Sequence, residues 1–149
     1  MKSGKNFATL IIVLLLALAL PNVISLLRGP AETPDIFRNG YSLQEANAMS
    51  QESGKPVLVL ATADWCGPCQ SLKRGALSDP EVAAIIESNA IPVYLEDGEN
   101  QDEIRSLGVR AYPSTILLER GQVAGILEGG STVSGYRRAL QRDLFGISE

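Results

Sequence analysis

Cys66 and Cys69 are the only cysteines among 149 residues, and Gly67 and Pro68 alone separate them. Trp65 stands immediately before the pair. Two thiols at this spacing can form a bridge, supply half of a metal site, or act as a redox reagent. The bridge would be a poor staple, because closing so short a loop removes little entropy from the unfolded chain. A metal site shared between two chains finds no support, since the chain has no histidine and no Met cluster, and two cysteines alone cannot close a tetrahedral site. The lack of histidine also excludes imidazole acid–base chemistry. The reagent reading has a mechanism. "PVLVLATA", residues 56–63, is a continuous apolar run of the kind shown by a strand buried on both faces, and "CQSLKR" continues after it as a helix. Cys66 then opens that helix, where unpaired backbone N–H groups and the positive end of the dipole favour thiolate over thiol. Pro68 falls in the first turn, where its missing N–H costs nothing. Cys69 lies one turn on, shielded by its own helix. Cys66 is therefore the expected nucleophile toward a partner disulfide, and Cys69 the thiol that resolves the mixed disulfide.

The elements that must hold this pair have local signals of their own. Ser42-Leu43-Gln44-Glu45 is a capping box opening a helix to about Ser53, where Gly54 stops it. Gly75 interrupts the cysteine helix, and Ser78-Asp79-Pro80-Glu81 opens another that ends near Ser88. "AIPVYLE", residues 90–96, is a second strand, and "NQDEIRSLG" a short acidic helix ending at Gly108. A strand over residues 114–119 turns through "RGQ" into "VAGILEG" as a hairpin. "STVSGYRRALQRDLF" closes the chain as an amphipathic helix with Val133, Tyr136, Leu140 and Leu144 on one face. Crossover helices demand parallel pairing in the first part and the hairpin gives an antiparallel end. The expected fold class is α/β, a central mixed sheet flanked by helices.

An apolar fraction of 45% and a charged fraction of 20% suit one globular domain with a tail. The net charge is −4, and beyond residue 28 the balance is 10 basic against 17 acidic side chains, because Lys2, Lys5 and Arg28 precede it with no acid. No basic cluster remains, which argues against nucleic acid as a partner. Residues 7–20 are apolar throughout apart from Thr9, behind a short basic leader. Read as a secretory signal, the segment is cleaved near Ala17-Leu18-Ala19. Read as an anchor, it extends to Leu27, about 21 residues, enough to cross a bilayer, and this is the reading taken. Lys2 and Lys5 then place the N-terminus in the cytoplasm and the domain outside it, on the periplasmic side. The chain divides into residues 1–28 as signal-anchor or signal peptide, 29–35 as linker and 36–149 as the domain.

Trp65-Cys66-Gly67-Pro68-Cys69 is identical to the redox motif of thioredoxins, and the element order over residues 36–147 resembles the thioredoxin fold, here preceded by an N-terminal hydrophobic helix. Tyr112-Pro113-Ser114-Thr115 falls where that family carries its second hallmark. The resemblance implies that Pro113 is cis and faces the cysteines, and that Tyr112 contacts substrate. It also implies that Gly129 lies on the loop beside the groove, with Trp65, Gly67 and Pro68 completing the substrate surface. "ADWCGPC" followed by "SDPEV" is similar to the thioredoxin-like domains of membrane-bound thiol–disulfide interchange reductases. The 47 positions from Cys66 to Pro113 leave no room for the central insertion of the cytochrome c maturation thioredoxins. One departure stands out: Leu60, six residues before Cys66, replaces the family's buried Asp, and Val93 stands for its Lys partner. Asp64 reads as a solvated loop acid. The function implied is an exported, membrane-anchored thiol–disulfide oxidoreductase acting as a reductant on protein disulfides. It would be fed by a membrane electron donor and need neither cofactor nor metal. The alternative from another class is a thioredoxin-fold binding module or metallochaperone whose two thiols hold Cu(I).

Overall fold

The computed structural model describes residues 10–20 and 29–147, and divides the chain into two units, residues 1–30 and residues 31–149. In the first unit the described part is one exposed helix, α1 (residues 10–20). No helix among the described residues is long and apolar enough to cross a membrane. The span expected over residues 7–27 has its ends, 7–9 and 21–27, outside the described residues.

In the second unit, β1 (Val57–Thr62) is buried at all six positions. It pairs in parallel with β2 (Ile91–Glu96) and antiparallel with β3 (Ser114–Glu119), and β3 pairs antiparallel with β4 (Gln122–Glu128). The order β2-β1-β3-β4 is the mixed sheet expected. Because side chains alternate along a strand, β1 feeds two cores. Leu58 and Leu60 join Phe37, Leu72, Leu77, Val82, Ile86, Leu117, Tyr136 and Leu140 on one face. Val57, Val59 and Ala61 join Ala46, Ile91, Val93, Leu95, Ile104, Ile116 and Leu118 on the other. The first face is covered by α3 (Gly67–Arg74), α4 (Pro80–Asn89) and α6 (Val133–Ala139). The second is covered by α2 (Leu43–Ser53) and α5 (Asp97–Ser106).

The helix ends follow their caps. Ser42 and Glu45 form the reciprocal capping box of α2, which stops at Gly54 with φ 74°, a conformation glycine enters without a Cβ penalty. Asp79 accepts hydrogen bonds from the N–H groups of Glu81 and Val82, and Pro80 occupies the first position of α4. Two expectations need correction. α5 begins at Asp97 instead of near Asn100, because the Glu96 carboxylate caps it by accepting from the Gly98 N–H, and Asn100 marks a kink inside it. Val133 is 36% exposed, since it opens α6 at the solvent end, while Tyr136, Leu140 and Leu144 are buried. The chain after α6 widens into a π turn over Leu140–Leu144. Residues 31–35, expected as linker, belong to the second unit: the Ala31 N–H donates to the Gln70 side chain, and Arg38 donates to the Thr33 carbonyl and the Glu32 carboxylate.

Candidate active site

β1 ends at Thr62, and after three intervening residues Cys66 is the N-cap of α3, with φ −88° and ψ 108°. Its N–H donates to the Ala63 carbonyl at 3.1 Å, and its Sγ accepts from the Cys69 N–H at 3.2 Å. The sulfur therefore takes the place of a side-chain oxygen at a helix N-terminus, where charge on it is stabilised. Cys66 and Cys69 are joined as a disulfide. Cys66 keeps 5% of its surface exposed and Cys69 none. Electrons or a thiol arriving from solvent meet Cys66 first.

Two loops close over the pair. The Tyr112–Pro113 peptide is cis, as the resemblance implies, and Pro113 is buried. Tyr112 packs against the small cluster of Ala63, Cys66 and Cys69, and its ring meets Trp65 edge to face at 5.9 Å. Trp65 is 74% exposed, the most exposed large apolar side chain of the described residues. Tyr112 Oη donates to Asp97 Oδ1 at 2.7 Å, and burial together with that bond pushes its pKa up to about 12. From the other side, the Gly129 N–H donates to the Pro113 carbonyl at 2.7 Å with φ 84° at Gly129, so its place is against the cis-proline loop. Its neighbour Gly130 approaches α3, where an added Cβ would lie 3.4 Å from the Pro68 carbonyl oxygen. The residues singled out from the sequence, Trp65, Cys66, Gly67, Pro68, Cys69, Tyr112, Pro113 and Gly129, thus sit on three segments that meet at the C-terminal end of β1.

Beneath the pair, the structure differs from expectation. Leu60 is fully buried and its register partners are Tyr94 on β2 and Thr115 on β3. Val93 pairs instead with Val59 and lies in the opposite core, so it cannot face Leu60. The cation of the site is Lys73, which sequence reasoning passed over. Its side chain is 1% exposed, and its Nζ lies 3.3 Å from Asp64 Oδ1 and 3.2 Å from Tyr94 Oη. Asp64 is accordingly an ion-pair partner and more than a solvated loop acid. Its N–H donates to Glu96 Oε1 at 3.0 Å, and its carbonyl accepts from Gln70 Nε2 at 3.1 Å. The one signal for Lys73 was its spacing, four residues after Cys69 on the same helix face.

Comparison with known proteins places this geometry. A family model described as thioredoxin-like matches residues 38–119. A stretch of 66 residues is 39% identical to the thiol:disulfide interchange protein DsbD 1 of Pseudomonas aeruginosa, covering 42% of this chain and only 11% of that much longer protein. Thioredoxin 2 of Chlorobaculum tepidum is 33% identical over 86 residues, which are 58% of this chain and 76% of that one. Among solved structures, a thioredoxin from Thermus thermophilus matches with a TM-score of 0.61 at 26% identity, over 69% of this chain and 84% of that chain.

Proposed function

We propose that this chain, which belongs to the thioredoxin-like family, is an exported protein-disulfide oxidoreductase, held at the membrane by its N-terminal segment and working as a reductant. That it is a thioredoxin-like protein-disulfide oxidoreductase rests on the family match and the relatives just described. The observation that carries the chemistry is the Cys66–Cys69 disulfide at the N-cap of α3, covered by the cis Tyr112–Pro113 loop.

In the reducing direction the dithiol form reacts. The Cys66 thiolate attacks one sulfur of a client disulfide and displaces the other as a thiolate, giving a mixed disulfide. The Cys69 thiolate then attacks Cys66 Sγ, releasing the second client thiol and closing the Cys66–Cys69 bond. The client gains two electrons and the pair loses two. Trp65, Tyr112, Gly67, Pro68, Pro113 and Gly129 form the surface on which the client strand lies. Outside the cytoplasm the pair rests oxidised unless electrons are returned to it, so a membrane dithiol donor is part of the proposal. The likeness to DsbD 1 and the apolar, basic-led N-terminus support this placement.

The test of the chemistry is reduction of insulin disulfides by the full-length chain with dithiothreitol, beside its Cys66→Ser variant. Turnover by the parent and none by the variant is expected; equal rates would remove Cys66 from the reaction. Placement is tested by expressing the full chain and extracting membranes with alkaline carbonate, with a membrane-impermeant maleimide applied to intact spheroplasts after reduction. Recovery in the soluble cytosolic fraction would refute the anchored, exported reading.

A further inference from the structure

Resting on the oxidoreductase reading, resolution of the mixed disulfide needs Cys69 as a thiolate, and Leu60 stands where the family's buried acid would take its proton. The chain has no histidine. The apolar residues clustered with Cys69 are Ala63, Cys66 and Tyr112, and burial raises Tyr112's pKa, so its hydroxyl stays protonated near neutral pH. Leu60, below, is apolar. We propose that Lys73 is a positioning residue for exchange: its buried ammonium favours the thiolate of Cys69 and so replaces proton removal by a base.

The geometry supports this in three steps. Cys69 and Lys73 are four apart on α3, so their side chains share a face, and long helical side chains lean toward the N-terminus, here toward the cysteines. Lys73 Nζ is then fixed under the motif by Asp64, two residues before Cys66, and by Tyr94 Oη. The pair with Asp64 is lopsided. The Lys73 side chain is 1% exposed and that of Asp64 56%, so water screens the carboxylate while the ammonium acts through protein. What the buried thiol sees is net positive, and a cation beside a thiol lowers its pKa. The other titratable groups are accounted for. Glu96 on β2 binds the Asp64 N–H with one oxygen and the Gly98 N–H with the other, Asp97 on α5 holds Tyr112, and Arg74 on α3 is on the exposed side.

The step balances without an added reagent. The Cys69 thiolate forms a bond to Cys66 Sγ, the bond from Cys66 Sγ to the client sulfur breaks, and the client leaves as a thiolate that takes its proton from water. Lys73 forms and breaks no bond in this step.

The test uses the full-length chain in mild detergent. In a Cys66→Ser background Cys69 is the only thiol, and its ionisation is followed by thiolate absorbance near 240 nm against pH. Adding Lys73→Met should raise the midpoint by about one unit, and Lys73→Arg should restore it. In the Cys66-containing protein, Lys73→Met should slow mixed-disulfide resolution at pH 7 about threefold, since the more basic thiolate is scarcer but more nucleophilic. An unchanged midpoint in a Lys73→Met protein that is folded by circular dichroism overturns the proposal. If that variant does not fold, the Cys66→Ser chain with Lys73 intact decides: burial alone lifts a thiol above its ordinary value near 8.5, so a Cys69 midpoint above about 8.5 overturns the proposal. Insulin turnover by the parent checks the underlying reading separately. An inactive parent removes the reaction itself, whereas an active parent with an unshifted midpoint overturns only the role of Lys73.

Discussion

Leu60→Asp probes the ground beneath the cysteines. Leu60 is 0% exposed and lies between Tyr94 and Thr115 in the sheet, with α3 above it. Truncating a buried leucine costs about 2–5 kcal/mol, and a neutral carboxyl without full hydrogen bonding adds about 1–3 kcal/mol. Polar groups on its register partners Thr115 and Tyr94 would offset part of this, leaving about 4 kcal/mol. For a unit of this size about 4 °C of Tm is lost per kcal/mol, so the oxidised full-length variant should melt about 15 °C below the parent by circular dichroism. The deficit has a pH signature. Burial holds the new carboxyl's folded pKa above its unfolded value near 3.9, so both states are protonated in acid. As pH rises past about 4 the unfolded chain ionises first, and stability is lost until the folded pKa is passed. A variant melting within about 2 °C of the parent would mean that position 60 is not under the cysteines. A deficit that shrinks as pH rises would mean an ionised carboxylate paired with Lys73, and would refute the estimate.

Cys69→Ser should trap client proteins on Cys66 as mixed disulfides stable to non-reducing electrophoresis, and Cys66→Ser should trap none; the reverse pattern would exchange the two roles. Asp79→Ala removes the acceptor for the Glu81 and Val82 N–H groups and should cost about 1 kcal/mol, lowering Tm about 4 °C, whereas an unchanged melt would show that α4 does not need its cap. Tyr136 is buried with its hydroxyl on Thr115, and burial pushes its pKa up to about 12. Its contribution to stability is whole below the unfolded pKa near 10 and is lost as pH rises toward 12, so Tyr136→Phe should flatten the alkaline fall in Tm between those limits.

What the sequence disclosed was what is decided within a few residues. The Ser42 capping box, the Asp79-Pro80 start and the Gly54 stop are local hydrogen bonds and dihedral preferences. The unbroken apolar run of β1 forced burial on both faces, and that placed the cysteines at the end of a central strand. Lys73 was hidden because a lysine inside a helix reads as surface. Its burial is decided by Asp64, 9 residues back, and Tyr94, 21 residues on. Leu60's true neighbour was hidden for a related reason: the register of a parallel pair is set by packing of the whole strand, and a one-residue slip exchanges Val93 for Tyr94 and one core for the other.

The placement of apolar surface says how a client must be read. Cys66 is nearly covered, and the large side chain standing free beside it is Trp65, braced edge to face by Tyr112. A concavity sits at the opposite end of the parallel strands, lined by Met49, Lys55, Ile91 and Pro92, where β2 begins. A protein strand would find an aromatic edge at Trp65, the cis-proline loop at Pro113 and the glycine backbone of residues 129–130, all within three segments held by one buried strand. Affinity there comes from extended contact, each part of it weak, and this suits a pair that must release each client after exchange.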